Sequence, residues 1–240
     1  MEPSVPSGKC WCVVPAAGSG SRMVSDTPKQ YLPLAGATVI EHGVATLLSC
    51  DFIESVVVAH SPGDNRAGTL LGLQNSRVLL VEGGKERSDS VLAGLVALAH
   101  EASAEDWVLV HDAARPCVSS QDISSLARQV FETGVGGILA EAVVDTIKRS
   151  DEANYVQETL NREQLWRAQT PQMFKLVQLR AALENAKSQG HAVTDEASAM
   201  EWAGEGVQLV PGSSRNLKIT LPEDLPLAEF YLSQRCDRSQ

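Results

Sequence analysis

The sequence predicts an α/β protein built on a mostly parallel sheet with helices on both faces. Three observations lead there. Apolar, strand-like runs at 10–14, 53–60, 77–81, 107–111 and 137–143 alternate with helical periodicity at 39–48, 88–100, 123–131, 177–187, 196–203 and 222–232. Such alternation is the pattern of strand–helix–strand units. The first run breaks directly into a glycine-bearing loop, and the next three also end in residues able to carry chemistry. Ligands of open α/β sheets sit outside the carboxyl ends of the strands, so the shared position of these four loops is itself informative.

The first strand, Cys10-Trp11-Cys12-Val13-Val14, leads into Pro15-Ala16-Ala17-Gly18-Ser19-Gly20-Ser21-Arg22, and Pro28-Lys29-Gln30-Tyr31 follows. Glycines remove the Cβ atoms that would hold backbone N–H groups away from an anion, so the stretch reads as a phosphate cradle with Arg22 and Lys29 above it. Two commoner loops are excluded. A dinucleotide fingerprint needs a third glycine where Met23 stands, and a Walker loop needs lysine where Ser21 stands. For the glycines alone, a tight turn without a ligand is the simpler explanation.

The second strand ends in Ser61-Pro62-Gly63-Asp64, and the third in Gly83-Gly84-Lys85-Glu86-Arg87-Ser88-Asp89-Ser90. The latter is a glycine turn opening a helix; its backbone at Gly84 and the Ser90 hydroxyl could read the edge of a base, or merely start the helix. The fourth ends in His111-Asp112-Ala113-Ala114-Arg115-Pro116. A carboxylate above a phosphate loop can hold Mg²⁺, which takes one or two carboxylates plus phosphate oxygens. Capping of the following turn is the plainer role for Asp112. His111 reads as a packed strand residue.

Between 145 and 172 the pattern changes to short strand-like pieces around Asp151-Glu152-Ala153-Asn154. This reads as a β-arm projecting from a single domain spanning 9–232, with polar tails at 1–8 and 233–240. Strand edges and Trp166 on such an arm call for a partner, and a second copy of the chain is the simplest one. Lys218 interrupts a strand-like run in Asn216-Leu217-Lys218-Ile219-Thr220. Arg115, Arg162 and Thr146 add cations and a hydroxyl around the arm base.

A net charge of −10 over 240 residues argues against a protein that wraps nucleic acid. The first residues lack the basic and apolar regions of a secretion signal, and no apolar run reaches membrane-spanning length. The five cysteines have no metal-site spacing and read as packing, so the expected setting is cytoplasmic, with reduced thiols.

Taken together, 15–23, 28–31, 83–91, 110–116, 145–148, 162–172, 194–196 and 216–220 resemble the 2-C-methyl-D-erythritol 4-phosphate cytidylyltransferase family, in the family's order and over nearly the whole chain. The resemblance implies a Rossmann-like nucleotidyltransferase fold and transfer of CMP from CTP to methylerythritol phosphate, with pyrophosphate leaving. Carried over by position, Arg22 and Lys29 stabilise the five-coordinate transition state. Pro15, Ala16, Ala17 and Gly18 cradle the triphosphate, Gly84, Ser90 and Ala113 bind the rest of the nucleotide, and Asp112 holds Mg²⁺. Arg115, Thr146, Thr170 and Lys218 position the second substrate, and Arg162 reaches across from the arm of a homodimer. Ala142, before Val143, and Asn161, before Arg162, stand where relatives often carry proline and aspartate, which could shift the arm. A related enzyme acting on another polyol phosphate, such as ribitol 5-phosphate, shares most of these loops. A nucleotide sensor would be free to lose Arg22, Lys29, Asp112 or Lys218, all of which are intact.

Overall fold

A computed structural model of the chain describes residues 9–18 and 27–236. Arg22, Gly20 and Met23, like the expected tail at 1–8, lie outside the described residues. The elements are β1 (Cys10–Ala16), β2 (Pro33–Leu34), β3 (Ala37–Thr38), α1 (Val39–Leu48), β4 (Ile53–His60), α2 (Arg66–Thr69), β5 (Val78–Glu82), α3 (Arg87–Leu98) and β6 (Trp107–Val110). They continue with α4 (Ser120–Thr133), β7 (Gly137–Ala142), β8 (Ile147–Ser150), β9 (Val156–Leu160), β10 (Trp166–Lys175), α5 (Leu176–Ser188), α6 (Glu196–Trp202), β11 (Gln208–Pro211) and α7 (Asp224–Cys236).

Seven strands form one sheet in the order β11-β7-β10-β6-β1-β4-β5. All neighbours are parallel except β10, which runs antiparallel to both β6 and β7. β1 lies inside the sheet between β6 and β4 and is buried along nearly its whole length, which is why its sequence is continuously apolar rather than alternating. Cys10, Cys12 and Val14 face α1 and α4, whose Ile40, Val44, Leu47, Ile123 and Leu126 share their cluster. Trp11 and Val13 face the other layer, with Leu95 of α3, Leu179 and Leu183 of α5 and Met200 of α6. Gly94 permits this packing: a Cβ there would lie 2.5 Å from Val13 Cγ1.

The chain passes from β1 to β4 and β5 on one side and returns to β6 on the other. The order therefore reverses beside β1, and the crevice that opens at such a reversal is where α/β sheets take ligands. The loops after β1, β4, β5 and β6 emerge at that same end, because the four strands are parallel.

Three sequence expectations need correction. The projecting hairpin is β8 with β9, closed by a turn over 151–154, so it ends at Leu160 rather than at 172. Residues 166–172 belong to β10 in the main sheet. Gln169, Thr170 and Gln172 disguise that strand, since they are polar yet buried. The carboxy-terminal tail does not begin at 233, because α7 continues to Cys236. Residues 216–220 are not a strand; they form an extended link docked by the Ile219 N–H donating to the Ala114 carbonyl at 2.8 Å. The short edge strand β11 escapes the periodicity, having only four residues and ending in Pro211. A proline with no N–H to donate is tolerated at a sheet edge.

Candidate active site

At the carboxyl end of the central strands lies a cavity of about 500 Å³, lined by Pro15–Gly18, Lys29–Gln30, Gly84–Arg87, Ser90, Asp112–Ala114, Lys218 and Thr220. Ten residues singled out in the sequence meet here: Pro15, Ala16, Ala17, Gly18, Lys29, Gly84, Ser90, Asp112, Ala113 and Lys218.

The loop after β1 is held by its carbonyl groups. Buried Gln30 donates through Nε2 to the carbonyls of Ala16 at 2.6 Å and Gly18 at 3.1 Å. Ser61 donates to the carbonyl of Ala17 at 2.7 Å. With its carbonyls engaged by the protein, the loop meets the requirement of an anion cradle, whose N–H groups must be left to converge on the ligand. Sequence reasoning gives Gln30 no role, because a glutamine beside a lysine carries no signal of what it will grip.

The turn before α3 is as constrained. A Cβ on Gly84 would lie 2.2 Å from Asp89 Cβ, so no side chain fits. Gly84 N–H donates to Ser90 Oγ at 3.1 Å, and the Ser90 hydroxyl lies 3.3 Å from the Glu86 carbonyl it donates to. Ser90 thus shapes the turn, and the polar backbone group that Gly84 retains for a ligand is its carbonyl. Glu86 and Asp89 form a capping box that fixes where α3 starts, which places Arg87 in the first turn of the helix.

Asp112, just past β6, is the electrostatic centre. Its Oδ1 accepts from Arg87 Nε at 2.9 Å, its Oδ2 lies 2.7 Å from Lys218 Nζ, and Arg115 Nε stands 3.8 Å from Oδ2. Burial alone would raise its pKa, but Arg87 and Lys218 outweigh that and hold the carboxylate well below its usual range. Arg87 also forms a bidentate pair with Glu196, at 2.6 and 3.0 Å. Burial works against the charge on Arg87, yet Glu196 and Asp112 together raise its pKa.

Behind this cluster is a directional relay. The Arg115 carbonyl can only accept, so His111 Nε2–H donates to it at 3.1 Å, and Nδ1 must then accept from the Thr170 hydroxyl at 3.1 Å. Thr170 Oγ1 in turn accepts the Asp112 N–H at 3.0 Å. Arg115 donates to the Asn216 carbonyl at 2.6 Å, and Asn216 Nδ2 donates to the Thr170 carbonyl at 2.8 Å. Lys29 Nζ donates to the Ile219 carbonyl at 2.9 Å. Arg115, Thr170 and Asn216 therefore dock the link that carries Lys218. Thr146 and Arg162 stand apart, exposed at the base of the hairpin, where Arg162 donates to the Val144 carbonyl.

His111 is fully buried, which lowers its pKa to about 4. Its folded pKa lies below the unfolded value of about 6.5, so the unfolded chain binds the extra proton first. The neutral ring is fully accommodated above about pH 6.5, and stability falls progressively towards pH 4, by about 3 kcal/mol in all. Urea midpoints measured at pH 7.5 and 5.0 should show this loss, and His111→Gln should flatten it. An unchanged slope in the variant would refute the assignment.

Comparison with known proteins agrees with this architecture. Residues 10–234 match the family described as IspD, 2-C-methyl-D-erythritol 4-phosphate cytidylyltransferase. The protein of that name from Vibrio vulnificus (strain YJ016) is 52% identical over 226 residues, covering 94% of this chain and 95% of its own length. The crystal structure of the Francisella tularensis protein of the same name is 35% identical, with a TM-score of 0.81, covering 93% of this chain and 100% of that one. The Thermus thermophilus structure is 31% identical, with a TM-score of 0.76 and coverage of 92% and 98%. A glycine loop and a cation-ringed aspartate at the sheet's reversal point, on a chain alike from end to end, leave one assignment: the chain belongs to the 2-C-methyl-D-erythritol 4-phosphate cytidylyltransferase family.

Proposed function

We propose that this protein transfers the cytidylyl group of CTP to 2-C-methyl-D-erythritol 4-phosphate, giving the CDP-linked alcohol and pyrophosphate in the supply of isoprenoid precursors. The observation that carries the reading is the meeting of the glycine loop with Lys29, Asp112 and Lys218 around one cavity, in a chain of this family. An oxygen of the substrate phosphate forms a bond to the α-phosphorus of CTP, and the bond from that phosphorus to the bridging oxygen of the β-phosphate breaks. The attacking phosphate is already ionised, so the protein supplies position and charge rather than a nucleophile.

On this reading Pro15, Ala16, Ala17 and Gly18 hold the triphosphate, and Gly84, Ser90 and Ala113 frame the nucleoside. Arg22 and Lys29 stabilise charge as it grows on the five-coordinate phosphorus. Lys218, released from Asp112, turns to the incoming phosphate, with Arg115 and Thr170 as its support and Thr146 at the rim. Asp112 offers one hard carboxylate beside the phosphate cradle, where Mg²⁺ completed by phosphate oxygens and water would have to displace Lys218 or Arg87 from it. When bound, the ion neutralises phosphate charge and orients the leaving group.

The exposed hairpin supports a homodimer. Val144, Tyr155 and Val156 on or beside it are 74%, 74% and 62% exposed, which favours a second copy covering them and bringing Arg162 to the neighbouring site. The main body, from 9 to 232, acts as one domain, and the four described free cysteines suit the reducing cytoplasm.

Pyrophosphate release with CTP and Mg²⁺ tests the activity, comparing methylerythritol 4-phosphate with ribitol 5-phosphate. Release with the first substrate is expected. Release only with the second would transfer the protein to a different polyol phosphate, and none with either, despite CTP binding, would make it a nucleotide sensor.

A further inference from the structure

Ser61 follows β4 and does not line the cavity, yet its hydroxyl grips the loop that does. It donates to the Ala17 carbonyl at 2.7 Å. The carbonyls on either side of that one, those of Ala16 and Gly18, are held instead by Gln30, which lines the cavity. A trans peptide sets its N–H opposite its C=O. Holding the Ala17 carbonyl towards Ser61 therefore turns the Gly18 N–H to the other side of the loop, where Gln30 and the cavity lie. Gly18 itself lines the cavity, and its N–H has no acceptor among the described residues.

The turn that carries Ser61 is well fixed. The Ser61 carbonyl accepts from the Asp64 N–H at 3.0 Å and from His60 Nδ1–H at 2.9 Å. Pro62 and Gly63 fill the two central places of that turn, where a preset φ and then a positive φ are wanted; Gly63 has a φ of 72°. Two further bonds tie it to the end of β5. Gly63 N–H donates to the Glu82 carboxylate at 3.2 Å, and the His60 carbonyl accepts from the Gly83 N–H at 2.7 Å. Gly83 in turn approaches the phosphate loop so closely that a Cβ on it would lie 3.0 Å from Ala17 Cβ. Ala17 is thus set between the turn that opens α3 and the hydroxyl of Ser61.

We propose that Ser61 is a positioning residue for nucleotide binding: by holding the Ala17 carbonyl, it aims the Gly18 N–H at a phosphate of the bound triphosphate. This rests on the reading of residues 15–18 as the triphosphate cradle. Because Ser61 acts through the Gly18 peptide, its loss should be felt through the phosphates and not through the base or ribose. CTP binding is measured by isothermal titration calorimetry, and binding of cytidine, which has no phosphate, by ligand-observed NMR. The proteins compared are the unaltered one, Ser61→Ala and Ser61→Thr. Ser61→Ala should weaken CTP binding about tenfold, the size of effect that follows when a hydrogen-bonded group loses its partner. Cytidine binding should be unchanged. Ser61→Thr keeps the hydroxyl and should bind CTP nearly as tightly as the unaltered protein.

Unchanged CTP affinity in Ser61→Ala would overturn the proposal. So would an equal loss for cytidine, or a loss in Ser61→Thr as large as in Ser61→Ala. If Ser61→Ala does not fold, Ser61→Cys, which is close in size and only a weak donor, decides: weaker CTP with unchanged cytidine upholds the proposal, and any other pattern overturns it. If the unaltered protein binds CTP no more tightly than cytidine, the cradle reading fails and the proposal falls with it. Tight CTP binding without pyrophosphate release from either polyol phosphate would remove the transfer reading alone, and the binding data would still decide the role of Ser61.

Discussion

Asp112→Asn should lower turnover by about 10³-fold and also destabilise the fold, a combination that few single substitutions produce. The substitution keeps the shape of the side chain and removes its charge. Arg87, Arg115 and Lys218 then converge on a neutral amide, and Arg87 alone keeps a carboxylate partner, Glu196. Removing one member of a buried ion cluster costs about 3–5 kcal/mol when the others cannot escape. Here the lower end applies, because the Lys218 side chain is 42% exposed and can move into water. The urea midpoint at pH 7.5 reports the stability loss, and pyrophosphate release at saturating Mg²⁺ reports the chemical one.

The acid limb gives an independent check. Asp112 has a folded pKa below its unfolded value, so its contribution is present above about pH 4 and is lost as the pH falls further. That window lies below the one set by His111. Asp112→Asn should therefore flatten the acid limb while leaving the change between pH 6.5 and 5 in place. Turnover within tenfold of the unaltered protein would remove Asp112 from the reacting centre, and an unchanged urea midpoint would show that the cation cluster does not depend on it.

The sequence exposes the parts of this site that are local and hides those that depend on distant pairs. β1 is legible because an interior parallel strand, buried on both faces, must be continuously apolar. The glycine loop and Asp112 are legible because each follows such a strand. Arg87 is not, since in Gly83-Gly84-Lys85-Glu86-Arg87 it looks like one more charge at a helix start. Its partner Glu196 lies 109 residues away, in a Thr-Asp-Glu run that reads as another helix cap. β10 is masked by Gln169, Thr170 and Gln172, polar residues that a sheet can bury only because each finds a partner there. Gln172 bonds the start of α6, and Asn216, nearly fifty residues further along, completes the bonds around Gln169 and Thr170. Hydrophobic periodicity cannot register such pairings, because they show only when the strands are side by side.

Lys29→Ala should reduce kcat by roughly 10²–10³-fold with little change in CTP affinity, the loss expected when a preorganised donor of transition-state stabilisation is removed. Lys29 is carried on a short turn beside the glycine loop and is pinned by the Ile219 carbonyl at 2.9 Å, one residue from Lys218. It is thus held in place before substrates arrive, as preorganised charge requires. Lys29→Met retains most of the aliphatic stem and should behave like the alanine variant if charge is what matters. Parallel loss of CTP binding and rate would assign Lys29 to ground-state binding instead. The same variant tests the dimer. Arg162, exposed at the base of the hairpin, is proposed to serve the neighbouring subunit's site, whereas Lys29 serves its own. Inactive Lys29→Ala and Arg162→Ala proteins, mixed and allowed to exchange subunits, should form heterodimers in which one of the two sites has both residues intact. Recovery of up to about a quarter of the unaltered activity is then expected from random pairing in which half of the dimers each carry one complete site. No recovery, with exchange verified by differently tagged subunits, would return Arg162 to the site of its own chain.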